Sequence, residues 1–182
     1  MRGRGSVTAA WALGLVAALC ATALLAADPE PARADGPAGS IRLPAGIEAE
    51  PPALQTTGSG PRSSQVLRHT RNGKTAQASL LQSCASAPPD LRSEKNLEIL
   101  MQGLAVMQRQ TLGKVNGWVT LGERRAYRMD SVRDGGGAAT MWMAPMGEKM
   151  AVLRYERPAD FALDDEMIVA IERMELRCGS PP

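Results

Sequence analysis

Histidine is almost missing from this chain of 182 residues, which has one, His69. A lone imidazole excludes histidine-built metal cages and leaves a single general base of the usual kind. With Arg68 and Arg71 beside it, His69 reads as a surface residue. Nucleophile signatures are missing as well. No Gly-x-Ser-x-Gly occurs, Gly58-Ser59-Gly60 falling short of one, and Asp134-Gly135-Gly136-Gly137 is followed by no helix and no Lys-Ser/Thr pair, so it reads as a hairpin turn. Aromatics are scarce, with three Trp, two Tyr and one Phe, and the net charge is only +2. No basic stripe interleaved with aromatics results, so nucleic acid and anionic membrane surfaces are not favoured partners. Ten methionines supply the bulk that aromatic rings would otherwise give a core.

One long uncharged run is present. From Val7 to Ala27 the chain is mostly Ala, Leu, Val and Trp, preceded by Arg2 and Arg4. This pattern marks export, with residues 1–34 as a signal peptide or membrane anchor. Ala32-Arg33-Ala34 before Asp35 offers a small-x-small cleavage site. An uncleaved anchor is the second fate. Lipidation at Cys20 is the third and the weakest, because Leu19 stands where that processing needs a small residue. All three leave the rest of the chain outside the cytosol, periplasmic, anchored facing outward or secreted, with membrane contact only through the N-terminal segment.

Residues 35–64 are rich in Pro, Gly, Ala and Ser and read as a linker without regular structure. Residues 65–182 carry the periodicities of a folded domain. Asn72-Gly73 between two strand-like runs predicts a hairpin in which Leu67, His69 and Arg71 share a face with Ala78, Ala76 and Lys74. Asp90 or Ser93 then caps a helix bearing Leu97, Leu100, Met101, Leu104 and Ala105 and ending near Leu112-Gly113. Four alternating runs, from "VNGWVTL" to "KMAVLRYER", predict an antiparallel meander. An amphipathic helix from about Leu163 to Arg177 closes the chain, with Asp164, Asp165 and Glu166 as dipole-favouring residues at its start. Of the three cysteines, Cys84 and Cys178 remain in the exported part and predict one disulfide.

The expected fold class is α+β, an antiparallel sheet of hairpin plus four-stranded meander packed by two helices, after the apolar segment and the linker. Over residues 65–177 this order, with the ending "GEKMAVLRYERPADFALDDEMIVAIERMEL", resembles the PsbP-like superfamily of exported accessory proteins and lipoproteins. The resemblance implies a non-enzymatic binding or assembly role beside an envelope protein.

Two sites remain to weigh. "MWMAPMGEKM" at 141–150 gathers Met141, Met143 and Met146 around Trp142, and thioethers suit Cu(I). With His69 they form the alternative reading, a periplasmic copper carrier whose aromatic ring caps the metal. Core packing is the favoured explanation, and it needs no cofactor. Arg124, Arg125 and Arg128 make their strand the most basic part of the domain, a candidate docking surface for an acidic partner.

Overall fold

Asn72 and Gly73 both adopt left-handed backbone, at φ 52° and 74°. A type I′ turn needs that pair, and the two longest strands of the protein leave from it. In the computed structural model, which describes residues 31–107, 111–132, 136–159, 161 and 164–178, these become β5 (Gly60–Arg71) and β6 (Lys74–Ser86). Leu67 faces Ala78 and His69 faces Ala76 across the pair. The predicted signal or anchor segment as far as residue 30 lies outside the described residues, as do residues 134–135 of the predicted glycine turn.

Ser93 accepts the amide N–H of Asn96 at 3.2 Å and opens helix α1 (Glu94–Met107). Strands β7 (Thr111–Leu121), β8 (Arg124–Val132), β9 (Ala138–Met146) and β10 (Lys149–Arg157) follow, each antiparallel to the next. Pairing of Thr111 with Val132 and Leu112 with Ser131 claims for the sheet residues predicted to end the helix. Strand β10 then returns to β6.

Helix α2 (Asp164–Glu172) stops five residues short of its predicted end at Arg177. Met174 bonds back to Ile171 in a tightened last turn, and Glu175–Leu176 leaves as strand β11 to pair with residues 39–40. Among the described residues no helix is long and apolar enough to cross a membrane.

The predicted linker is corrected. Residues 35–64 hold regular structure: β1 (Arg33–Gly36), β2 (Gly39–Arg42), β3 (Ile47–Ala49) and β4 (Ala53–Thr57) precede β5. The composition of the whole stretch hid a few well-spaced apolar residues. Ala34, Ala38, Ile41, Leu43 and Ile47 are all nearly inaccessible, alternating with exposed Arg33, Asp35 and Arg42 as strands require. Strand β4 is fully exposed and joins β5 through its backbone.

The fold is α+β and richer in sheet than predicted. Eight strands form one sheet in the order β3-β5-β6-β10-β9-β8-β7, with β4 beside β5, and β1, β2 and β11 form a second. One face of the large sheet buries Leu67, Leu80, Trp142, Leu153 and Tyr155 together with Ile41 of the small sheet and Met167 and Ile171 of α2. The other face buries Tyr127, Met129 and Met150 with Leu97 and Met101 of α1. Cys84 of β6 is bonded to Cys178, their Cα atoms 5.4 Å apart, fastening the end of the chain to the middle of the sheet.

Candidate functional site

Successive side chains on a strand point to opposite faces, and that rule divides the predicted copper set. Met141 and Met143 are half-buried on the α1 face near Tyr127, Met129 and Met150. Met146 packs at the margin of the other core. Strand β9 runs through it, and the turn falls at Gly147-Glu148. His69 stands on β5, with β6 and β10 between it and β9, its ring 6.1 Å from Phe161. The four do not converge.

His69 is also not a surface residue. Only 8% of it is exposed, because the hairpin register turns it to the same side as Leu67.

The predicted arginine patch disperses too. Arg125 donates to both carboxylate oxygens of Glu94 at 2.9 Å and covers the Trp118 ring at 5.1 Å, on the side of α1. Arg128 points into the protein. Its Nε and Nη2 grip Asp130 at 2.9 Å each, and its Nη1 donates to Glu172 at 3.0 Å, while the indole Nε1 of Trp142 donates to the same Glu172 oxygen at 3.2 Å. Burial works against the Arg128 charge, but the hydrogen bonds and negative charge of Asp130 and Glu172 outweigh it and raise its pKa. Of the three, Arg124 alone faces the groove described below.

A second clamp holds the other end of α2. Arg157 donates from Nη1 to Thr140 at 2.8 Å and pairs through Nε with Asp164 at 2.6 Å. Burial, more than any neighbour, raises the pKa of Asp164, with Asp165 and Asp130 adding to it against Arg157. Tyr155, fully buried beneath Arg157, is pushed well above its ordinary value, first by burial and then by the Asp164 carboxylate. The helix is thus fixed at its first residue and its last.

So anchored, α2 presents Val169, 44% exposed, between two open cavities. The first, about 550 Å³, lies between α2 and the small sheet and is lined by Arg33, Arg42 and Arg173 over Leu43, Pro44 and Ala170. The second, about 870 Å³, lies toward the β7–β8 turn and is lined by Arg124, Arg173, Thr120, Glu123 and Glu172. Val169, Arg173, Met174 and Glu175 border both, so the two are halves of one groove divided by a ridge. Arg42, Arg124 and Arg173 form no ion pair among the described residues. Glu123, Glu172 and Glu175 border the same groove, so its lining carries charges of both signs.

Sequence spacing identified only Arg124 here. Arg33 fell within the predicted signal or anchor segment, Arg42 within the predicted linker, and Arg173 within the predicted closing helix. A legible signal existed in "GPAG" at 36–39, a turn sequence whose flanking runs pair as β1 and β2.

No family model matches the chain, and no curated protein sequence does. A solved structure from Bacteroides thetaiotaomicron VPI-5482 is similar at 10% identity, with a TM-score of 0.44 over 81% of this chain and 49% of that one. The chain spans about half the length of that protein.

Proposed function

We propose that this protein is an exported, non-enzymatic binding module of the periplasm or cell envelope, an accessory to a partner protein that docks in the groove beside α2. One observation carries the reading: Arg42 of β2, Arg124 of β8 and Arg173, just past the end of α2, border the two cavities on either side of exposed Val169. Such a surface offers charge for steering and an apolar centre for affinity. The Arg2–Ala27 pattern supports export, and the bond between Cys84 and Cys178 suits an oxidising compartment. The resemblance to PsbP-like accessory proteins points the same way.

The test is photocrosslinking in intact cells, with a photoreactive residue at Val169 and a control at Val106, which is 79% exposed on α1. A discrete adduct in the envelope fraction from Val169 alone is expected. Equal adducts from both positions, or a chain recovered from the cytosol with free thiols, would overturn the reading.

A further inference from the structure

We infer that the face of the β5–β6 hairpin tip bearing His69, Arg71 and Lys74 binds a phosphoryl group, carried by a small soluble ester or by a lipid headgroup. The site shares no lining residue with the groove beside α2 and stands independently of it.

Register places the cations. Asn72 and Gly73 fill a two-residue turn, so Arg71 and Lys74 are paired directly across it. Direct partners carry their Cβ atoms about 5 Å apart on one face of the sheet. His69, two residues back along β5, is on that same face, about 7 Å along the strand. Like charges directly opposed across a strand pair are unfavourable. Neither the Arg71 nor the Lys74 side chain forms an ion pair among the described residues. They border an open cavity of about 960 Å³, and among the described residues no carboxylate lines it.

His69 supplies a second, independent observation. Only 8% of it is exposed, yet its imidazole makes no hydrogen bond or ion pair among the described residues. Its printed neighbours are apolar or backbone: the Phe161 ring at 6.1 Å, and Gly46, where an added Cβ would lie 3.7 Å from Nε2. A buried polar ring without a partner is costly. His69 lines the same cavity as the two cations, where one ligand oxygen accepting its N–H meets the need.

The donor set selects the ligand. A carboxylate brings one charge and two oxygens in a plane, which a single guanidinium fork satisfies. Here a guanidinium from β5, an ammonium from β6 and a buried imidazole share one cavity. A phosphoryl group, with three acceptor oxygens and up to two negative charges, answers all three. The cavity leaves room beside it for the rest of an ester, against Ala76 and Pro158.

The experiment exploits the single histidine of the chain. Full chain, purified oxidised and labelled with ¹⁵N-histidine, is titrated with glycerol 3-phosphate at constant pH and ionic strength while the imidazole resonances are followed. A saturable shift is expected, with acetate binding at least tenfold more weakly. Weakening by about tenfold or more is expected in R71E/K74E, both positions being exposed, and none in R42E, which alters the groove beside α2. Retained thermal unfolding in R71E/K74E shows that the loss is local. Dihexanoyl phosphatidylglycerol, kept below its micelle concentration, distinguishes the sources: tighter binding than glycerol 3-phosphate assigns the site to a lipid headgroup, and weaker binding to a soluble ester. Absence of a saturable shift, equal binding of acetate, or full binding by R71E/K74E overturns the proposal.

Discussion

Arg128 donates to Glu172 at 3.0 Å, joining the middle of β8 to the last residue of α2, and both side chains are mostly shielded from water. Removing the cation leaves Asp130 and Glu172 with uncompensated charge in a partly buried site. Arg128→Ala is expected to lower stability by about 2–3 kcal/mol in urea unfolding, with little relief from added salt. Glu172→Gln keeps an acceptor for Trp142 and is expected to cost about half as much.

Tyr155 gives the protein an alkaline limit. Its folded pKa is raised, so above its ordinary value of 10.0 the folded state keeps a proton that the unfolded chain releases. More protons bound in the folded state means that stability falls as pH rises. In Tyr155→Phe this component vanishes. Stability measured from about pH 9.5 upward should decline less steeply than in the parent, by up to about 1.4 kcal/mol per pH unit, the slope for one proton.

The cystine closes a loop between positions 94 residues apart. Opening it by Cys84→Ser with Cys178→Ser is expected to cost roughly 4–5 kcal/mol in the chain-entropy description, or somewhat less if the open chain keeps residual structure. Alkylation without reductant should label neither residue in protein taken from the envelope. Labelling of both would sink the compartment assignment.

Gly39 adopts φ 149°, and a Cβ there would lie 2.1 Å from the carbonyl oxygen of Glu175 on the paired strand. Main chain cannot yield as a side-chain tip can. Gly39→Ala should therefore detach β11 from β2, lowering stability by about 2 kcal/mol or more and weakening any ligand of the groove that Glu175 borders. Amide exchange at Leu176 against that at Leu153 would show whether the loss is local to the small sheet.

Local pattern made the later part of the chain legible. The Asn72-Gly73 turn set the hairpin register, Ser93 marked the start of α1, and alternation from Arg124 to Arg157 drew three adjacent strands. The earlier part was misread because a strand needs only two or three apolar residues at period two. Averaged over thirty positions, Ala38, Ile41 and Ile47 disappear among proline and glycine. The groove was hidden for a different reason. Arg33, Arg42, Arg124 and Arg173 come from distant stretches, and only the pairing of β11 with β2 brings them around Val169.

That same pairing governs when the molecule can finish. The small sheet takes two strands from the opening of the described chain and one from its close, so its last seam waits for residues near the carboxyl end. In a chain made amino terminus first, the arginine-bordered cleft stays open on this side until Glu175 and Leu176 are available to pair with β2.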